Sequence, residues 1–330
     1  MSALAPTLQA FFTTRLARQR QASPRTVATY RDAFRLLLAY AEKRTGKHPC
    51  DLDLADLDAA LVSGFLDHLE IERHNRVTTR NARRTAIHSF YRFAAYRHPE
   101  HAELISQVLA IPAKRTDTAP VSFLTPAEID AVVSAPDPST WAGRRDQALL
   151  IAAVQTGLRL SELIGLRCAD VHLGTGAHLA CTGKGRKHRQ TPLGAGAARL
   201  LQSWLAERAG QSTDPLFPSR RGGPLSPDAV QRLVAKHVNT ATARCPSLAA
   251  KQVTPHTLRH SCAMELLRSG VDTSVIALWL GHEKLQSTQA YLHADLTIKE
   301  RALDRMNPKS AARGGRYRPP DRLLAFLQSL

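Results

Sequence analysis

Apolar positions in the first hundred residues recur at three- and four-residue spacing. Val27, Tyr30, Phe34, Leu37, Leu38 and Ala41 form one such stripe, the period of an amphipathic helix. Ser23-Pro24 precedes it, an N-cap acceptor followed by a residue whose φ is preset for the first helical turn. A second helix is predicted around Leu57–Ile71, with Leu61, Phe65 and Leu69 on one side. A third is predicted near Thr79–Tyr96, with Ala86, Phe90 and Phe93. Residues 111–123 break the period with two prolines and small polar residues, which predicts a linker. Thr125-Pro126-Ala127-Glu128 reads as a capping box opening a new helix, and helical spacing persists through Arg145–Leu166. Val171–Leu193 changes to short runs punctuated by Gly174, Gly176, Gly183 and Gly185. A small antiparallel sheet is predicted, with a tight turn at Gly183–Lys187. Helices resume at Ala195, interrupted by the Gly/Pro-rich stretch Pro215–Pro227. The expected fold class is mainly α, in two domains.

Composition narrows the partners. The 330 residues carry a net charge of +17, distributed as +7 over residues 1–115, +5 over 116–298 and +5 over 299–330. A charge spread this evenly suggests a polyanion touched along much of the protein, where a single basic tail would suggest one arm. Aromatic residues are 5% of the chain, too few for extended base-stacking platforms. The longest apolar run, Ala148–Val154, is far shorter than the roughly 20 residues a membrane helix needs. The N-terminal dozen residues lack a basic region ahead of an apolar stretch, so no signal peptide is expected. Cys50, Cys168, Cys181, Cys245 and Cys262 are scattered, which fits a reducing compartment better than a disulfide framework. Arg76, Arg80, Arg83 and Arg84 crowd the start of the third helix, where cations oppose the helix dipole. A bound phosphate would remove that conflict, so they are candidate phosphate-binding residues.

Three clusters in the second half carry candidate chemistry. In TGLRLSELIGL, Arg159 and Glu162 are three apart and share a helical face. In TGKGRKHRQTPL, Lys184, Arg186, Lys187 and Arg189 crowd a glycine-bearing turn without a Walker A pattern. In the third, His256, Arg259 and His260 fall within one helical turn, Gly281-His282 follows a helix end, and Tyr291 comes nine residues later. Zinc is not expected: the spacing of His256 and His260 lacks the accompanying Glu, and Arg259 between them would repel a cation. Arginines, histidines, a lysine and a tyrosine together can hold and attack a phosphodiester. Guanidiniums fork onto its oxygens and stabilise transition-state charge. A tyrosine hydroxyl becomes a nucleophile where a positive field lowers its pKa, and a Lys or His can protonate the leaving oxygen.

This set, in this order, resembles the tyrosine recombinase (phage integrase) family over nearly the whole chain. The resemblance implies an all-α, SAM-like core-binding domain and a mostly helical catalytic domain with a small three-stranded antiparallel sheet. It implies boundaries at 1–113 for the first domain, 114–124 for the linker, 125–306 for the catalytic domain and 307–330 for a tail. It implies catalytic roles for Arg159, Lys184, His256, Arg259, His282 and Tyr291, with Glu162 and His260 in support. Arg159 and Arg259 would clamp the scissile phosphate, His282 would add a hydrogen bond, and Lys184 would protonate the 5′ oxygen. His256 would assist proton transfer near the tyrosine. Around the hairpin, Arg186, Lys187 and Arg189 are further candidates for DNA contact. Tyr30, Tyr40, Tyr91 and Tyr96 are expected to be core or groove residues, and Tyr317 lies in the basic tail. No cofactor and no metal are implied. Partners would be duplex DNA with inverted-repeat core sites, copies of the same chain (a dimer on a site, a tetramer in synapsis) and accessory recombinases. A cytoplasmic, nucleoid-associated bacterial protein is expected, with no membrane contact. The apolar C-terminal segment (Leu323, Leu324, Phe326, Leu327, Leu330) would dock in cis or be exchanged between protomers. A type IB topoisomerase shares the chemistry; the helical first domain and the tail favour recombination.

Overall fold

A computed structural model describes residues 4–116, 121–183, 188–281, 288 and 291. The chain divides into two compact units, Met1–Thr118 and Ala119–Leu330.

The first unit is helical. Helix α1 (Leu4–Ala10) continues with π-type hydrogen bonding over Phe11–Gln19. It is followed by α2 (Pro24–Thr45), α3 (Ala59–Ile71), α4 (Val77–Ala94) and α5 (Ala102–Ala110). Ser23 caps α2 by accepting from the Thr26 N–H, and Asp58 caps α3 through the Leu61 N–H, each satisfying an orphan donor of the first turn. The core centres on Phe11, fully buried, whose ring meets those of Phe12, Tyr30, Phe34, Phe90 and Phe93. The helix carrying Phe11 and α5 both lie outside the three stripes read from the sequence. Leu4, Leu8, Phe11, Phe12 and Leu16 recur across the former at three- and four-residue spacing, a stripe like those of the other helices. Tyr91 is buried with its hydroxyl on the Leu57 carbonyl. Tyr96 departs from expectation: it is 92% exposed, just past the end of α4. Lys114 is tied to this unit, because its backbone exchanges hydrogen bonds with the Asn81 side chain and its ammonium meets Glu70.

The second unit opens on the capping box at Thr125 and Glu128. Its elements are α6 (Pro126–Val133), α7 (Trp141–Thr156), α8 (Leu160–Gly165), β1 (Val171–His172), β2 (His178–Thr182), β3 (His188–Pro192), α9 (Ala195–Arg208), α10 (Pro227–Thr242), α11 (Pro255–Arg268) and α12 (Thr273–Leu280). The three strands form one antiparallel sheet in the order β1-β2-β3, with Leu179 opposite Thr191 and Cys181 opposite Arg189. Side chains alternate along it: Leu179 and Cys181 face the core from β2, and Thr191 is fully buried on β3. Trp204 of α9 packs edge-on against Trp141 and donates to the Leu216 carbonyl. Buried Glu128 accepts from Lys251, Ser247 and the Thr125 N–H. Burial alone would raise its pKa, but these donors outweigh it and hold the carboxyl down at about 2. The turn at 184–187, the helix-like stretch expected over Thr297–Met306 and the tail lie outside the described residues.

Candidate active site

The last turn of α12 ends in backbone carbonyls that no helical N–H can reach, at the negative end of the helix dipole. Two arginines converge on them. Arg259, on α11, donates Nη2 to the Leu280 carbonyl at 2.7 Å and Nη1 to the Gly157 carbonyl at 2.5 Å. Arg159, at the start of α8, donates Nη2 to the Gly281 carbonyl at 2.6 Å and Nη1 to Glu162 at 2.9 Å. Glu162 also accepts from the Arg159 backbone N–H at 2.8 Å, so one carboxylate fixes both the helix start and the guanidinium. A third arginine, Arg189 on β3, donates Nη2 to the other side of this carboxylate at 2.6 Å and Nε to Cys181 Sγ at 3.3 Å.

Two glycines make these approaches possible. Gly157 ends α7 at φ +59°, and a Cβ there would lie 2.5 Å from Leu280 and 3.1 Å from Cys262 Sγ. Gly281 ends α12 at φ +65°, and a Cβ there would meet the Arg189 guanidinium at 2.5 Å. Both positions require a left-handed conformation that favours glycine, and both leave a carbonyl for an arginine.

Burial sets the electrostatics. Arg259 is 4% exposed. That burial, with Arg159 and Arg189 nearby, lowers its pKa to about 10, so it stays charged at neutral pH. The Arg159 side chain is 29% exposed against 12% for Arg189, so Arg159 is the more open to a ligand. On α11, His260 lies one residue beyond Arg259, and its Nδ1 is 3.0 Å from the Tyr291 hydroxyl. The exposed His256 ring stacks on His260 at 6.0 Å. Burial, then His256 and Arg259, push the His260 pKa down to about 4, so its imidazole is neutral at pH 7. Tyr291 is 2% exposed among Cys262, Met264, Ile276 and Leu280. Its burial raises the phenol pKa, with Arg259 pulling the other way. Among the described residues no group of three or more His, Cys, Asp or Glu side chains could hold a metal.

Residues 122–297 match the phage integrase family, and residues 9–98 match the phage integrase N-terminal SAM-like domain. The chain belongs to the phage integrase family of tyrosine recombinases. It is a site-specific DNA breaking and rejoining enzyme. A Sinorhizobium fredii protein named as an integrase/recombinase, y4rC, is 53% identical over 329 residues, spanning 100% of this chain and 99% of the relative. Tyrosine recombinase XerC of Pelobacter propionicus is 32% identical over 305 residues, 91% of this chain and 94% of its own. Among solved structures, the Tn1549 transposon integrase in complex with transposon right end DNA shares the fold at a TM-score of 0.68. It has 16% identity over 91% of this chain and 99% of that one. XerH bound to a palindromic difH substrate gives 0.67 at 23% identity, over 86% of this chain and 81% of that one. No helix among the described residues is long and apolar enough to cross a membrane.

In this recombinase Arg159, Glu162, Arg259, His260 and Tyr291 stand together, while Lys184, Arg186, Lys187 and His282 lie outside the described residues. Three sequence expectations change. His260, not His256, meets the tyrosine, because on α11 the residue next to Arg259 faces inward and His256 sits on the exposed first turn. The tyrosine pKa is raised, not lowered, because burial outweighs the field of Arg259. Several arginines assigned to DNA are engaged with the protein. Arg189 is turned into the site. Arg80 is 5% exposed beside Glu70 and the Pro112 carbonyl, while Arg83 and Arg84 donate to the Thr29 and Ile111 carbonyls. Arg76, at the N-cap of α4, is exposed. The inward place of Arg189 was encoded in strand parity, since it alternates in step with Thr191 and Leu193.

Proposed function

We propose that Tyr291 cleaves duplex DNA through a 3′-phosphotyrosine intermediate, exchanging strands between inverted-repeat core sites held in a synaptic tetramer. The observation that carries this reading is the Tyr291 hydroxyl on a neutral His260, beside two arginines converging on one helix end. Arg159 and Arg259 clamp the scissile phosphate and take up transition-state charge. The tyrosine oxygen bonds to phosphorus as the bond to the 5′ oxygen breaks. His260 takes the phenolic proton, and Lys184 supplies one to the leaving oxygen, giving a free 5′-hydroxyl. The reverse attack by a 5′-hydroxyl of the partner strand releases the tyrosine, and the conserved bond energy removes any need for ATP. His256 and His282 complete the polar surroundings. Because Tyr291 is 2% exposed, its pocket opens before the hydroxyl reaches phosphorus.

The element served is a mobile one, moved by integration and excision or by transposition. Whole-length similarity to a protein named as an integrase/recombinase supports this, as does the fold shared with a transposon integrase. One dimer occupies each site, accessory recombinases join where the element requires them, and the protein works at the nucleoid. The test uses a duplex selected for binding from a random library and nicked near its centre to trap covalent product. Wild-type protein is expected to form a denaturant-resistant adduct. Tyr291→Phe is expected to form none while binding the duplex within about twofold of wild type. An adduct in the variant overturns the assignment.

A further inference from the structure

We infer that Arg189 is a positioning residue that holds Arg159 through Glu162 and sets the charge of the phosphate pocket, rather than a contact for the DNA backbone. The inference rests on the reading of Arg159 as a phosphate clamp. Arg189 lies on the inward face of β3, opposite Cys181, and its side chain is 12% exposed. Nε and Nη2 are bound to Cys181 and Glu162, and Nη1 is buried over Gly281 with no hydrogen-bond partner among the described residues. Two of its three nitrogens are thus spent on the protein, on Glu162 and Cys181.

Its effect runs through Glu162, whose side chain is only 3% exposed. A buried carboxylate must be neutralised. With Arg189 on one oxygen, Glu162 orients Arg159 without cancelling its charge. Arg159, Arg189 and Arg259 against Glu162 leave a net charge of +2 among the described groups of the site. A phosphodiester carries one negative charge, and its pentacoordinate transition state carries close to two. Removing Arg189 halves the local charge and leaves Arg159 as the sole counter-ion of Glu162. The loss is felt most where charge develops, so it falls on the rate of cleavage more than on binding. β3 also begins four residues after Lys184 in sequence, so Arg189 ties the strand that follows Lys184 to the clamp.

The experiment measures single-turnover cleavage of the nicked duplex at saturating protein, with affinity measured over a salt series. Arg189→Gln is expected to cleave about 100-fold more slowly, with affinity within twofold and an unchanged slope of log Kd against log salt. Arg189→Lys keeps the charge and loses the fork; it is expected to cleave about tenfold more slowly than wild type and carries the test if the Gln variant fails to fold. A wild-type rate in either variant overturns the inference. So does a salt slope reduced by about one, the mark of a lost phosphate contact. If wild-type protein forms no adduct, the functional reading fails instead. The coupling is then decided by side-chain 15N NMR of DNA-free protein, with the Arg159 signals identified by their absence in Arg159→Lys. Faster guanidinium rotation of Arg159 in Arg189→Gln supports the coupling, and unchanged rotation overturns it.

Discussion

Arginines crowd two regions of this recombinase, and they are used differently. On α4 of the first unit, Arg80, Arg83 and Arg84 each reach a carbonyl on another segment, bracing the helix against α2 and the stretch after α5. Their targets are separate, and Arg76 alone of the four stands exposed. In the second unit, Arg159, Arg189 and Arg259 come from three elements distant in sequence and share one acidic group and one helix end. Burying such a cluster is costly, visible in Arg259, whose pKa is lowered first by burial and then by Arg159 and Arg189. A fold retains such a cluster where a ligand supplies the missing negative charge. Dispersed arginines stitch a fold; convergent ones await an anion.

The largest expected effect breaks the convergent set. Arg259→Gln removes a transition-state donor and leaves two carbonyls short of a partner, so cleavage is expected to fall about 1000-fold. Single-turnover kinetics checks it, and a loss under tenfold would place Arg259 with the stitching arginines. Next in size is a cation of the second unit that serves only the fold. Lys251→Met leaves Glu128 buried without its counter-ion and is expected to cost about 3 kcal/mol at pH 7 in chemical denaturation. The Glu128 carboxyl titrates at about 2 in the fold against an ordinary 4.5. The stability it gives is therefore present above about pH 4.5 and lost as pH falls toward 2, so the gap between variant and wild type should close over that range. The smallest effects separate Arg80 from Arg76. Arg80→Met is expected to destabilise the protein by about 1 kcal/mol, with the salt dependence of DNA binding unchanged. Arg76→Gln is expected to leave stability within about 0.5 kcal/mol and to reduce the salt slope by about one. Reversed outcomes would remove the distinction.

How much of this was legible in the sequence follows from the range of the interactions. Ser23, Thr125 and Glu128 announced their helices because caps act within four residues. The strands around Gly183 were marked by local turn chemistry, and β2 and β3 fall within the stretch read as a sheet. The first helix keeps helical spacing at Leu4, Leu8, Phe11, Phe12 and Leu16, a local signal as legible as the others. At the site, motif order located Arg159, Glu162, Arg259 and Tyr291, yet the resemblance put His256 beside the tyrosine where the structure puts His260. That depends on which side of α11 faces the segment carrying Tyr291, a tertiary fact. Arg189 reads as a candidate DNA contact because it follows a basic run, while the structure engages it with Glu162 and Cys181. Its inward parity with Thr191 was present but is outweighed in a composition reading by its neighbours Lys187 and His188. The arginines of α4 raise the same question, since a cluster of positive charge does not say whether its partners are phosphates or carbonyls, and Arg80, Arg83 and Arg84 each donate to a carbonyl.

The most direct measurement of the central claim is mass spectrometry of the peptide left on DNA after wild-type protein is trapped on the nicked duplex and digested with protease. The chemistry described here predicts a 3′-phosphate joined to Tyr291, with the cleaved strand ending in a free 5′-hydroxyl. A linkage at another of the six tyrosines, or a 5′-linked product, would contradict it.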